Sequence, residues 1–170
     1  PDLRSCVYGI VLKQGNEQDY ESILTIMRNT DFQEEKERCM RALGLTSNID
    51  LLHRTLEFSL SDEVRSQDSV FVINTVARNV KGSKIAWEFL KNNWQKLYEM
   101  YSGGFMLNSL ISCVTSQFID NDMLEDINSF FEEKNFSSRV LQQSKETIHI
   151  NSSWINRDEN SIKEYLQQFQ

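Results

Sequence analysis

Proline and glycine are scarce in this sequence, and their scarcity restricts the possible folds more than any other feature. The 170 residues contain one proline, at position 1, and six glycines. Proline breaks helix interiors and glycine weakens them, so long stretches without either residue favour helices. No Asn-Gly dipeptide joins alternating apolar runs, as a β-hairpin would favour. The composition therefore predicts an all-α fold.

Residues 82–118 show most clearly how the helices are expected to pair. Apolar residues recur every three or four positions in both halves of this stretch, which is typical of two amphipathic helices. Ser83 is predicted to cap the first helix, and Gly103-Gly104 to end it, because glycine tolerates positive φ. The two apolar faces are too large to remain in water and should pack on each other. Their residues are Ala86, Leu90, Trp94, Leu97, Tyr98 and Tyr101, then Leu107, Leu110, Ile111, Val114 and Phe118.

The same spacing predicts about ten helices along the whole chain. Val70–Ile73 alone could form a strand, but Val76-Ala77 continues a helical period, so a helix is predicted there. Short connections make neighbouring helices antiparallel, and five stacked hairpins predict a right-handed, HEAT-like α-solenoid forming one domain over residues 1–170. Asp31 is predicted to cap the third helix, with Glu34 completing a capping box, and Gly44 to end it. The other predicted helices cover 2–13, 17–29 and 67–79, two lie within 82–118, and four begin at or after Asn48, Asn121, Ser137-Ser138 and Asp158.

Charge and cysteine content narrow the possible partners and compartments. The net charge is −7, which argues against nucleic-acid binding because phosphate recognition needs clustered Lys and Arg. The sequence contains no run of 18 apolar residues, so no membrane span is predicted. Cys6, Cys39 and Cys113 are odd in number and widely spaced, so three buried, reduced thiols are expected rather than a disulfide framework.

The chain shows no recognisable catalytic motif. Its two histidines, His53 and His149, belong to neither His-Glu-x-x-His nor any other zinc pattern, and we expect them at helix surfaces or boundaries. Nucleophile elbows and phosphate loops are absent from the sequence. Paired carboxylates lie at predicted helix ends or turns, where solvated charges are expected: Glu34-Glu35, Glu132-Glu133 and Asp158-Glu159. The sequence therefore predicts neither catalysis nor metal binding by this chain itself.

Binding is the function that the predicted fold allows best. Solenoids present a concave face that can hold a peptide or another domain. The candidate peptide-binding residues are the cations Lys36, Arg38, Arg41, Arg65 and Arg78. For each of them, an ordinary solvated surface position stays open as the alternative.

Several short segments of the sequence form a recognisable pattern when they are taken in order. The most specific is the A-W-x-F-L-x-x-N-W pattern at 86–94. The others are Asp2-Leu3-Arg4, Glu34-Glu35-Lys36, Arg41-Ala42-Leu43-Gly44, Val64-Arg65-Ser66-Gln67-Asp68, Tyr101-Ser102-Gly103-Gly104-Phe105 and Trp154-Ile155-Asn156-Arg157-Asp158. Together these segments resemble the C-terminal domain of the gluzincin zinc aminopeptidases, most closely the puromycin-sensitive branch, over almost the whole chain.

This resemblance implies a large zinc exopeptidase whose catalytic motifs and zinc lie in an upstream domain. The C-terminal domain would close over that catalytic domain as a HEAT-like bowl and shape a chamber for peptide substrates. Some relatives hold a peptide's C-terminus with a basic residue after the third helix, but Leu45-Thr46 stands there in this sequence. The branch also implies a cytoplasmic location. A free-standing helical scaffold that binds a partner protein on its concave face stays open as the alternative function.

Overall fold

The computed structural model describes residues 3–169, and every regular element in that range is a helix. This result confirms the all-α prediction, including a helix where Val70–Ile73 could have formed a strand. The helices are α1 (Arg4–Gln14), α2 (Glu17–Asn29), α3 (Gln33–Leu43), α4 (Ile49–Ser59), α5 (Ser66–Ala77), α6 (Ser83–Asn92), α7 (Trp94–Tyr101), α8 (Phe105–Thr115), α9 (Asn121–Glu133) and α10 (Arg139–Gln167).

Residues 3–169 form ten helices, as many as predicted, although one predicted helix is divided and two others are joined. The single helix expected up to Tyr101 is divided at Asn93, whose side-chain amide donates to the carbonyl of Phe89 at 2.9 Å. The backbone N–H of Asn93 donates to the same carbonyl at 3.0 Å, and Asn93 leaves the helical conformation, with φ of −110° and ψ of 15°. Conversely, α10 runs through Asp158 without a break. Asp158 pairs with its neighbour Arg157 at 2.7 Å rather than capping a new helix.

The helix caps show which local signals were reliable. α4 and α10 begin directly after Asn48 and Ser138, as predicted, and both side chains accept hydrogen bonds from the first turns of these helices. The predicted caps at Asp31 and Ser83 are wrong, because α3 starts after Phe32 and Ser83 lies inside α6. A capping box joins Asn16 and Asp19 instead, at the start of α2. The helix predicted from residue 2 begins at Arg4, and Asp2 lies outside the described residues.

The chain divides into two compact units, residues 3–114 and 115–169. In the first, α3 contacts α1 and α5, so that these helices form one row. A second row contains α2, α4 and α6, joined by the Tyr20–Thr55 hydrogen bond at 2.9 Å and by contacts between α4 and α6. Two rows of paired helices are the arrangement of an α-solenoid. The handedness of the stack and its assignment to one domain stay predictions.

A structural repeat of about 34 residues underlies this first unit, although no repeat is visible in the sequence. Ser47 Oγ donates to the carbonyl of Lys13, 34 residues earlier, at 2.8 Å. Lys81 Nζ donates to the carbonyl of Ser47, again 34 residues earlier, at 3.0 Å. Each bond joins a helix pair to the pair before it: Ser47 and Lys81 lie in the connections after α3 and α5, and Lys13 lies near the end of α1.

The close packing between repeats requires a small residue where α3 ends. A Cβ atom at Gly44 would lie 2.1 Å from Thr75 Oγ1 and 2.8 Å from the Thr75 carbonyl carbon. The carbonyl of Gly44 also accepts the Asn79 amide at 2.9 Å. Gly44 therefore allows α3 to approach α5 closely. Gly103 has a different role, because its φ of +81° ends α7 in the left-handed region, as predicted.

The second unit consists mainly of α9 packed against α10. One face of α10 is buried over its first half, through Leu141, Ser144, Ile148 and Ser152. Beyond Asp158 the residues of α10 are exposed, including Tyr165, whose ring contacts that of Phe169 just after the helix. α10 has 29 residues and α9 has 13, so α9 is too short to cover the whole of its partner.

The three cysteine thiols differ in their exposure to solvent. Cys39 and Cys113 are buried as predicted, whereas Cys6 is exposed on α1, so the prediction of three buried thiols is wrong for that residue. Within residues 3–169, none of the helices combines the length and apolar character needed to cross a membrane.

Candidate binding groove

A buried carboxylate on α3 organises the contact between α1 and α3. Glu35 is 6% exposed, and its oxygens accept the Tyr8 hydroxyl at 2.6 Å and pair with Arg4 at 2.9 Å. Arg38, one turn along α3, pairs with the same carboxylate. We call these four residues the Glu35 cluster. A buried charge is costly unless it is paired and hydrogen-bonded, and here Glu35 has both kinds of partner.

The Glu35 cluster changes the acid–base properties of its neighbours. The hydrogen bond to Glu35 raises the pKa of Tyr8 to about 12, with burial and the negative charge of Glu35 adding to the effect. Burial, and secondarily the charge of Glu35, raises the pKa of the Cys39 thiol to about 11. A protonated thiol is a poor nucleophile. Cys39 is therefore suited to packing rather than to chemistry.

On its solvent side, α3 borders a groove shared with α1. The cavity has a volume of about 350 Å³, and we call it the Arg41 groove. Arg41 is its most exposed cation, with 63% of the side chain accessible, and lies 3.6 Å from Glu37. The lining is mixed, with cations, carboxylates and apolar carbons: Ser5, Glu34, Glu37, Arg38, Arg41, Ala42 and Leu45.

Charges of alternating sign continue from this groove to α5. Glu37 lies between Arg41 and Arg65, with 3.9 Å between its carboxylate and the Arg65 guanidinium. Arg65 Nε also donates to Asp68 at 2.7 Å. Phe71 lies beside Arg41 and Glu37 in the cleft between α3 and α5 and is half exposed. This surface therefore offers donors, acceptors and an aromatic side chain to a bound ligand.

The structure brings three of the five predicted cations together. Arg38 and Arg41 line the groove, and Arg65 reaches it through Glu37. Lys36 is not part of the lining, because a helix turns 100° per residue and so directs Lys36 away from both arginines of α3. Arg78 caps the C-terminal end of α5, roughly 20 Å along the helix axis from Arg65 at a rise of 1.5 Å per residue. Whether any of the five binds a peptide stays a prediction.

Sequence reasoning treated the carboxylates of α3 as solvated, and for Glu35 this interpretation is wrong. A signal was present, because Glu35, Cys39 and Ala42 follow the spacing of the buried stripe of α3. An acid on an apolar stripe indicates a buried, paired carboxylate. The contributions of Ser5, Glu37 and Phe71 to the groove were not predicted, because they depend on which helices become neighbours.

The histidines agree with their predicted positions at the surface. His53 is exposed on α4, and His149 is exposed on α10. His53 lines a cavity of about 520 Å³ with residues of α4, α6 and α7, among them Glu57, Glu88 and Lys96. Across residues 3–169, His, Cys, Asp and Glu side chains form no group of three or more that could hold a metal ion. The donor set of these residues does not fit a zinc site.

Comparison with known proteins identifies the class of domain. Residues 1–150 match the ERAP1-like C-terminal domain family, and the chain belongs to this family. The chain is 33% identical to Aminopeptidase M1 of Arabidopsis thaliana over 160 residues, which cover 91% of the chain. It is 30% identical to Aminopeptidase N of Canis lupus familiaris over 175 residues and 31% identical to Aminopeptidase N of Homo sapiens over 173 residues, covering 99% and 98% of the chain.

These relatives are much longer than the present chain. The matched region spans 18% of each of the three proteins. The family implied by the sequence resemblance is therefore confirmed, whereas its puromycin-sensitive branch stays a prediction. The chain corresponds to one part of proteins named aminopeptidases.

Proposed function

We propose that this chain is the non-catalytic C-terminal domain of a zinc-dependent aminopeptidase that removes N-terminal residues from peptides. The observation that carries the proposal is its membership of the ERAP1-like C-terminal domain family, together with the small share of its aminopeptidase relatives that it spans. Because the described residues do not fit a zinc site, the proposal assigns the zinc chemistry to an upstream domain of the same parent protein.

In this proposal the chain caps the catalytic domain and forms part of a chamber for peptides. The Arg41 groove suits a peptide because peptides carry both charges and apolar side chains. The 3.6 Å separation of Arg41 and Glu37 exceeds that of a strong charge-assisted hydrogen bond, so a ligand carboxylate could replace this contact at little cost. Glu34 and Glu37 would favour basic groups of the peptide, while Leu45 and Phe71 would contact its apolar side chains.

The first experiment separates the catalytic part from the auxiliary part. A fluorogenic aminoacyl amide is given to the 170-residue chain and to the full-length parent, each with and without a zinc chelator. We expect turnover by the parent that the chelator abolishes, and none by the chain alone. Turnover by the chain alone would show that it carries its own active site, and the proposal would then be wrong.

The second experiment tests the groove in the parent enzyme. We expect Arg41→Ala to raise KM for peptides of about ten residues several-fold and to leave KM for a single aminoacyl amide unchanged, because the small substrate cannot reach the groove. Arg139→Ala is the matched control, since Arg139 is exposed and does not line the groove. Equal kinetics of the wild type and both variants on every substrate would remove the groove from the peptide-binding proposal.

A free-standing scaffold stays the competing function. It would gain support if the full-length coding sequence contained no His-Glu-x-x-His upstream of Pro1. The cytoplasmic location remains a proposal, supported by the three free cysteines, which suit a reducing compartment.

A further inference from the structure

A second cavity adjoins the Arg41 groove at the start of α3. It has a volume of about 300 Å³, and its lining includes Phe32 and Arg4, so we call it the Phe32 cavity. Glu34 and Arg38 line both this cavity and the Arg41 groove. The two cavities therefore form one continuous trough along α3.

Phe32 is an unusual residue for its position. It is the N-cap of α3, where Ser, Thr, Asp and Asn are favoured because their side chains accept hydrogen bonds from the first turn. Phe32 accepts no such bond through its side chain, and its ring is 78% exposed, so it adds little to the core. The apolar surface of this ring is therefore available to a ligand.

The backbone of Phe32 is held on both sides, which fixes the position of its ring. The N–H of Phe32 donates to Thr30 Oγ1 at 3.2 Å. Its carbonyl accepts the N–H groups of Glu35 and Lys36 at 3.0 and 3.1 Å. A ligand that packs on a ring already held in place costs less conformational entropy than one that packs on a mobile ring.

One enclosed and one exposed side chain separate the two cavities. Arg38 is 11% exposed, and besides Glu35 it binds Glu34 at 3.1 Å and Ser5 at 3.2 Å. The side chain of Glu34 is 87% exposed. Its carboxylate therefore has room to accept hydrogen bonds from the backbone N–H groups of a chain that crosses between the cavities.

The distance along α3 sets the length of a ligand that reaches both ends of the trough. Arg41 lies nine residues after Phe32, which corresponds to roughly 14 Å at a rise of 1.5 Å per residue. An extended peptide advances about 3.3 Å per residue and covers this distance in about four residues. Arg41 is the cation best placed to bind a carboxylate, because it is 63% exposed and only loosely paired with Glu37.

We propose that the trough selects peptides in which an aromatic side chain and a carboxylate lie about four residues apart. The aromatic side chain packs on Phe32, the carboxylate binds Arg41, and the backbone between them donates to Glu34. The carboxylate belongs to an acidic side chain or to the C-terminus of the peptide. The proposal rests on the proposed function for its peptide ligand, and it names the class of peptide that the groove takes.

The test measures peptide binding by the 170-residue chain itself, without catalysis. The probes are fluorescein-labelled, C-terminally amidated peptides of alanine and serine with one phenylalanine and one aspartate, spaced by two, four or six positions in both orders. We expect fluorescence anisotropy to give a Kd about fivefold lower at a spacing of four than for the same peptide without phenylalanine. A further probe, with phenylalanine four positions before a free C-terminal carboxylate and no aspartate, distinguishes the two sources of the carboxylate.

Phe32→Ala and Phe105→Ala form a matched pair of variants. Both rings are 78% exposed, and Phe105 begins α8 and lines neither cavity of the trough. We expect Phe32→Ala to raise the Kd of the best probe about fivefold, to the value of the probe without phenylalanine, and Phe105→Ala to leave it unchanged. Because both side chains are exposed, Tm of each variant should equal that of the wild type, which separates lost binding from lost folding.

Three results would overturn the proposal. They are a Kd that does not depend on the spacing, equal effects of the two alanine variants, and the absence of binding by every probe. Turnover by the parent is a separate measurement. A parent without peptidase activity would refute the proposed function, while peptide binding by the chain would still decide this proposal.

Discussion

The Glu35 cluster and the Arg41 groove are both built around α3, yet they use the same kinds of residue in opposite ways. Around Glu35, the carboxylate is 6% exposed and is bound by Arg4, Tyr8 and Arg38. At the groove, 63% of the Arg41 side chain is accessible and its contact with Glu37 is loose. The enclosed charges hold α1 against α3, whereas the open charges remain available to a ligand. Burial, and not residue type, separates the structural role from the binding role.

Removing the enclosed carboxylate should produce the largest effect. We expect Glu35→Ala to lower the free energy of unfolding by about 3 kcal/mol, because it leaves the mostly buried Arg38 without its main partner. Glu34→Ala is the matched control, since that side chain is 87% exposed, and it should cost less than about 1 kcal/mol. Urea denaturation of both variants measures the difference. Equal losses would mean that burial does not distinguish the two carboxylates.

The second prediction concerns the hydrogen bond of Tyr8. Tyr8→Phe should lower the free energy of unfolding by about 1.5 kcal/mol, because the hydroxyl donates to a charged acceptor. The pKa of Tyr8 is raised from 10.0 to about 12, so this stabilisation is complete below pH 10 and is lost as the pH rises toward 12. Stability measured from pH 9 to pH 12 should therefore fall less steeply in Tyr8→Phe. Tyr165→Phe, at an exposed position, should keep the wild-type slope.

The third prediction extends the comparison to an exposed ion pair with good geometry. Arg28 donates two hydrogen bonds to Glu63, at 2.7 and 2.8 Å, and both side chains are nearly half exposed. These hydrogen bonds lower the pKa of Glu63, so the pair stabilises the fold above pH 4.5 and loses that effect as the pH falls further. A double-mutant cycle with Arg28→Ala and Glu63→Ala should give about 0.5 kcal/mol at pH 7. A coupling above about 2 kcal/mol would contradict the importance assigned to burial.

The smallest effect on stability is expected at the groove itself. Arg41→Ala should change the free energy of unfolding by less than about 0.5 kcal/mol, because the side chain is exposed and loosely paired. Thermal unfolding of the isolated chain measures this change. A larger loss of the free energy of unfolding would mean that Arg41 stabilises the fold. The Arg41→Ala variant would then be a poor probe of peptide binding.

Most of the secondary structure could be predicted because it follows from local spacing. Apolar residues every three or four positions located the helices, and Asn48 and Ser138 marked their starts correctly. The interruption at Asn93 and the continuity through Asp158 could not be predicted, because each depends on a side-chain contact that competes with a cap or a turn.

The candidate site was less predictable, because neighbouring helices create it. Arg38, Arg41 and Arg65 come together only once α3 lies between α1 and α5. The partners of Glu35 on α1, Arg4 and Tyr8, lie about a repeat away in sequence, so no local pattern connects them to it. Lys36 and Arg78 were plausible by charge alone, but the turn of α3 and the length of α5 separate them from the groove.

The 34-residue ladder of Lys13, Ser47 and Lys81 also has a consequence for how the chain acquires its fold. Each repeat closes on the one immediately before it, so the loop entropy of forming a contact does not increase as the stack grows. At translation rates of about 5–20 residues per second, a repeat leaves the ribosome in roughly 2–7 s, which is long compared with the microseconds needed to form a helix. Each new helix pair can therefore dock on a surface that is already folded while synthesis continues. A domain built in this way can assemble in order from its N-terminal side, without waiting for its last helix.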